Sequence, residues 1–276
     1  GLDISSVIEG ATYLKEQGVD AVNITDGARA RLRMDSISIS KITEDLTGME
    51  TIMHYTCRDR NMIALQSQLL GAYALGLRNI LVVTGDPAKI GDYPQATSVY
   101  DLDSPNLIRA AASLNRGVDL MKNPLGDSTD FFITCGANPL ADDFEMEMIK
   151  TEKKIDAGAE CLFTQPTYEL PQLEKFVERV AKINSKLGTN CQLILGILPL
   201  RSYQHADFLH HEVPGIDVPH WIRERLHRAD KKDAPKVGAE LSGDFLRQAK
   251  PMVQGAYVMP PFKKYQMVAE LMQIVA

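Results

Sequence analysis

The run NILVV (79–83) passes through Thr84 and Gly85 to Asp86 and then Pro87. Glycine lets the main chain turn sharply as it leaves an apolar run. Proline stiffens the exit and removes an amide donor. A carboxylate held there would stabilise a cation bound beside it. The same residue types also make a turn in which the aspartate only accepts backbone amides, and spacing alone leaves both readings open. Other apolar runs end in similar chemistry: Thr25-Asp26-Gly27, His54 to Asp59, Cys135 to Asn138, Thr164-Gln165-Pro166 and Pro199 to Ser202. Hydroxyls, an imidazole, a carboxylate and an amide at consecutive run ends suit a large ligand that is both polar and aromatic. They do not suit a metal: His54 has no second histidine at a run end and no tight carboxylate cluster.

These residues need strands that end on one face. The spacing predicts strands at 20–25, 51–56, 79–84, 131–135, 161–164, 192–197 and 256–259. Helical periodicity falls between them, over 4–16, 61–75, 104–114, 143–156, 170–187 and 238–253. Ser104-Pro105 reads as a cap with proline in the first turn, and Gly76 and Gly158 as helix stops. The segment 201–235 is too long for a plain loop and predicts short extra helices. Strands apolar on both faces, alternating with helices, mean a parallel sheet covered by helices, with ligands at the strands' carboxyl ends. A closed (β/α)8 barrel needs eight strands, and this sequence opens on a helix. The expectation is a TIM barrel lacking its first strand here, with the true start upstream. An open doubly wound sheet is the alternative, but no G-x-G-x-x-G follows the first strand.

The 276 residues suit one barrel domain, 1–276. A net charge of −6 and no basic block argue against nucleic acid or anionic membrane as partner. No apolar run reaches the roughly 20 residues of a membrane span, and no leader is recognisable. Cys57, Cys135, Cys161 and Cys191 form no C-x-x-C and read as free core thiols of a cytoplasmic protein.

HYTCRDRN (54–61), NILVVTGDPA (79–88), KKIDAGAECLFTQPTYE (153–169) and GILPL (196–200), in this order, resemble the methylenetetrahydrofolate reductases. VNITDGARARLRMD (22–35) and VMPPF (258–262) look most like the reductase half of the bifunctional bacterial proteins. Those carry a homocysteine S-methyltransferase domain ahead of the reductase. The resemblance implies a (β/α)8 barrel with FAD at its mouth. It implies reduction of 5,10-methylenetetrahydrofolate to 5-methyltetrahydrofolate by NADH or NADPH, feeding methionine synthesis. It leaves a homo-oligomer open.

Carried over by position, the resemblance implies these roles. Asp86 lies near flavin and folate and favours the iminium cation of the opened folate ring. Gln165 hydrogen-bonds the pterin. Thr25, His54, Thr84 and Gly85 line FAD, with Lys154 near its ribityl or phosphate region, and Glu147 and Lys150 at two further contact positions of different residue type. Tyr100 is a candidate for a tyrosine packed near the flavin. Tyr203 stands where many members have a stacking phenylalanine, and Lys263 where an arginine often binds the folate tail. The general acid, a glutamate on the family's first strand, has no counterpart here. A folate-binding barrel without its own redox step is therefore the alternative. A phosphate-binding barrel is less apt, since GILPLRSY and VMPPFKKY offer no glycine nest.

Overall fold

A computed structural model describes residues 1–213, 215–261 and 264–275. Its class is α/β of the TIM-barrel type, with seven strands among the described residues. Two compact units divide the chain: residues 1–135 with 153–160, and residues 136–152 with 161–276.

In the first unit, β1 (Ala21–Ile24), β2 (Glu50–Thr56), β3 (Asn79–Val83) and the first residues of β4 (Phe132–Ala137) pair side by side, all parallel. Helices α1 (Ser5–Glu16), α2 (Ser36–Thr47), α3 (Met62–Ala74) and α4 (Ser104–Leu114) connect them or precede them. Met53, Ile80 and Ile133 of the strands are buried, as are Leu65, Leu69, Leu107 and Ile108 of the helices. Each such side chain contributes about 1.5–3 kcal/mol of burial. Tyr55 is wholly buried on β2, and its hydroxyl donates to the Leu65 carbonyl at 3.0 Å, so no polar atom is stranded.

All seven expected strands form within a residue or two of the expected bounds. Besides the helix at Gln266–Val275, the sequence reading did not expect α2. Its buried stripe is Ser36, Ile39, Ser40 and Thr43. The spacing is helical but three of the four are polar, so the buried stripe does not read as an apolar face. Asp35 starts it by accepting the Ser38 amide at 2.9 Å. At α4 the cap lies one residue earlier than expected: Asp103, not Ser104, accepts from the Asn106 amide at 3.0 Å, and Pro105 follows in the first turn.

In the second unit, β5 (Cys161–Thr164), β6 (Gln192–Ile197) and β7 (Gly255–Val258) are parallel neighbours. Most of α5 (Phe144–Asp156) belongs here, with α6 (Leu170–Leu187), α9 (Ala234–Ala249) and α10 (Gln266–Val275). Helix α9 starts four residues before the expected Gly238 and has proline in its first turn. The segment 201–235 folds as α7 (Tyr203–Glu212) and α8 (His220–Arg228). Leu200, Ala206, Leu209, Val218, Ile222 and Leu226 pack together and seat these helices. All four cysteines are buried and none is in a disulfide, and no described helix is long and apolar enough to cross a membrane.

Candidate active site

The first unit gathers Thr25, His54, Thr84, Gly85 and Asp86 on three adjacent strands. Thr25 directly follows β1, His54 lies two residues before the end of β2, and Thr84 to Asp86 leave β3. Thr25, Thr84 and Asp86 are exposed. Gly85 has φ +90°, and a Cβ there would lie 3.1 Å from Cβ of Thr56. The turn at Asp86 therefore needs glycine, as the spacing suggested.

The Asp86 carboxylate is tied rather than loose. Its Oδ2 accepts the Arg29 amide at 2.7 Å. That amide belongs to a strained loop: Gly27, Arg29 and Ala30 have φ of 55°, 59° and 50°. Left-handed residues other than glycine persist where surrounding contacts over-determine them, and they gather at functional sites. Tyr100, half-buried and itself at φ 47°, donates its hydroxyl to the Gly85 carbonyl at 3.1 Å. It braces the Asp86 turn, and burial pushes its own pKa up.

His54 is half-buried, with Nε2 3.2 Å from Oδ1 of Asn23. Burial lowers its pKa to about 4, although the nearby Asp26 charge partly opposes this. The imidazole is thus neutral near pH 7. With the amide oxygen facing it, Nε2 carries the proton and Nδ1 remains an acceptor. Cys57 is no nucleophile, since burial pushes its thiol up to about 12.

The sequence reading missed the network beneath these residues. Asp26 is 8% exposed and accepts from the Thr56 amide at 3.1 Å, the Thr56 hydroxyl at 2.9 Å and Arg60 Nη1 at 2.7 Å. Arg60 also lies over the Tyr55 ring, 4.7 Å from its centroid. Arg58 is 5% exposed, forks onto Asp59 and donates to the carbonyls of Gly27 and Asp86. The available signal was CRDRN (57–61) straight after a core strand: two arginines there need acids or carbonyls.

Lys154, near the end of α5, is half-buried and also belongs to the first unit. Glu147, Lys150, Gln165 and Tyr203 belong to the second. Glu147 Oε1 accepts the Asn138 amide at 3.0 Å, tying α5 to the residue after β4, while Lys150 is exposed. Gln165 follows β5 with its side chain exposed, and its amide donates to the Ala137 carbonyl at 2.8 Å. Tyr203 opens α7, and its ring meets His227 edge-on at 4.9 Å. Lys263 lies outside the described residues. Tyr257, also missed, donates from β7 to the Thr164 carbonyl at 2.7 Å.

Parallel strands with polar ends, covered by helices, define an α/β protein of the TIM-barrel class. Solved structures agree on the fold. A Clostridium thermocellum protein described as binding two copies of 5-methyl-5,6,7,8-tetrahydrofolic acid superposes with a TM-score of 0.61 at 14% identity, over 99% of this chain and 89% of that one. EDTA monooxygenase from Chelativorans sp. BNC1 gives 0.60 at 11%, over 99% and 85%.

The chain belongs to the methylenetetrahydrofolate reductase family, whose profile matches residues 4–259. It is 27% identical over 207 residues to a probable methylenetetrahydrofolate reductase (NADH) of Oryza sativa, covering 74% of this chain and 34% of that protein. A probable methylenetetrahydrofolate reductase (NADPH) of Caenorhabditis elegans is 26% identical, covering 86% and 34%. The 5,10-methylenetetrahydrofolate reductase of Escherichia coli is 24% identical, covering 82% and 70%. The chain thus spans about a third of the plant and nematode relatives and most of the bacterial one.

Proposed function

We propose that this chain is the reductase barrel domain, residues 1–276, of a cytoplasmic enzyme that reduces 5,10-methylenetetrahydrofolate to 5-methyltetrahydrofolate, with FAD as cofactor and NADH or NADPH as reductant. Family membership supports the reaction. The observation that carries the chemistry is Asp86, exposed at the end of β3 with Oδ2 fixed by the Arg29 amide. The donor set fits a flavin. An isoalloxazine ring presents neutral donors and acceptors along one edge. Thr25 and Thr84 offer exposed hydroxyls, and His54 offers a neutral imidazole. Gly85 bares its main chain. These residues would hold the ring, with Lys154, Glu147, Lys150 and Tyr100 as the further candidates that the resemblance supplies. The hydride chemistry is supplied by FAD when bound.

The protein's own part is electrostatic. Opening the folate's five-membered ring makes an iminium cation. A fixed carboxylate about 4 Å away favours that cation by about 1–4 kcal/mol, depending on how far water is excluded. Because the Arg29 amide already orients Asp86, little reorganisation is needed when the charge forms. In the same reading Gln165 hydrogen-bonds the pterin, Tyr203 offers an aromatic face and Lys263 a charge for the folate tail. An upstream homocysteine S-methyltransferase domain would consume the product.

The test is to load the purified protein with FAD and follow the two half-reactions separately. Nicotinamide should bleach the flavin, and methylenetetrahydrofolate should restore its colour while 5-methyltetrahydrofolate appears. Asp86→Asn should slow the second half-reaction about 10–100-fold and the first much less. Folate binding by a protein that takes up no flavin would favour a binding module instead and end the reductase reading.

A further inference from the structure

Arg58 spends a buried charge on main-chain geometry. Its Nε and Nη2 grip Oδ1 and Oδ2 of Asp59, each at 2.7 Å. Nη1 then donates to two carbonyls, Gly27 O at 3.3 Å and Asp86 O at 3.1 Å. The Arg58 side chain is 6% exposed, and its Asp59 partner is 52% exposed. The Asp59 hydrogen bonds push the guanidinium pKa up, so it stays charged. Its own carbonyl accepts the Val99 amide at 2.7 Å. One side chain therefore joins the loops that follow β1, β2 and β3.

The joined loops carry the contact that matters. The Arg29 amide that fixes the Asp86 carboxylate sits two residues after Gly27, in left-handed backbone. A non-glycine residue in that conformation costs about 1–2 kcal/mol, so the loop needs outside support. Arg58 supplies it on one side, at Gly27 O, and fixes Asp86 O on the other. The fit is close, since a Cβ on Gly27 (φ +55°) would lie 2.6 Å from Nη2 of Arg58.

We propose that Arg58 is the positioning residue of the Asp86 turn: its guanidinium ties the main chain at Gly27 to the main chain at Asp86, so that the Arg29 amide meets the carboxylate and aims it at the substrate. This rests on the role given to Asp86 above. Lysine at position 58 keeps the charge but has no planar fork, so it cannot grip Asp59 while reaching both carbonyls. A carboxylate displaced by about 1 Å loses up to about 100-fold in rate.

The test uses the FAD-loaded protein and both half-reactions, for Arg58→Lys, Asp86→Asn and the double variant. Arg58→Lys should slow reoxidation by methylenetetrahydrofolate about 10–100-fold and flavin reduction by nicotinamide less than about threefold. The double variant should be no slower than Asp86→Asn alone, because a positioning residue has nothing left to position. Asp59→Asn, at an exposed site, loosens the same fork. It should give the same pattern at about three- to tenfold, and it serves where Arg58→Lys yields no flavin-binding protein. Equal slowing of both half-reactions, or effects of Arg58→Lys and Asp86→Asn that multiply, would overturn the proposal. If Asp86→Asn itself leaves reoxidation untouched, the role of Asp86 has failed instead, and the two failures are told apart.

Discussion

Acidification should unfold this protein partly through one side chain. His54 has a folded pKa of about 4, against 6.5 for an unfolded histidine. Between these values the unfolded chain binds a proton that the folded chain refuses, so stability rises with pH across the window and falls on acidification. Below about pH 4 both states are protonated and the loss levels off. The full gap corresponds to about 3 kcal/mol, and the share lost between pH 7 and pH 4.5 is about 2 kcal/mol. The assay is urea denaturation at both pH values for the wild-type protein and for His54→Gln, which keeps a donor for Asn23 and cannot take up the proton. The carboxylates titrate in both proteins, so the difference isolates the imidazole. Wild type should lose about 2 kcal/mol more than the variant over this interval. The Cε1 proton resonance of His54 should show no titration down to about pH 5. A midpoint near 6.5, or equal acid sensitivity of the two proteins, would refute the idea that burial outweighs the Asp26 charge.

Other perturbations test the frame around the site. Arg60→Met should cost about 3–5 kcal/mol by denaturant titration, because it leaves the nearly buried Asp26 without its charge partner. Adding Asp26→Leu should recover much of that loss, since an apolar pair of similar volume is tolerated where a lone charge is not. Gly85→Ala should cost about 1–2 kcal/mol, because φ is +90° and Thr56 lies in the way; an unchanged midpoint would show that the turn can relax. Gln165→Glu should slow the folate half-reaction while the flavin content stays constant, and loss of flavin would mean that the residue serves the cofactor.

Much of the frame could be read from the sequence because the period and the polarity agree there. Apolar runs ending in Thr-Asp-Gly or Thr-Gly-Asp-Pro, with helical periodicity between them, read as parallel strands with polar exits, and the strands formed there. Helix α2 escaped because its buried face is built from Ser36, Ser40 and Thr43, residues that apolar periodicity does not count. The cap of α4 was misplaced by one residue because Asp103 and Ser104 are both good caps and adjacent.

What no local pattern contains is pairing across long separations. Asp26 meets Arg60 from 34 residues away, Arg58 reaches the Asp86 carbonyl across 28, and the Arg29 amide finds the Asp86 carboxylate across 57. The sequence determined which groups would stand at the strand ends, because a helix between two strands makes them parallel neighbours whose exits share an edge within each unit. Only the tertiary structure decided which of those groups face one another. Strand neighbours and the left-handed turn at Gly27 to Ala30 set those distances, and a hydrogen bond exists only when two groups are brought within about 3 Å.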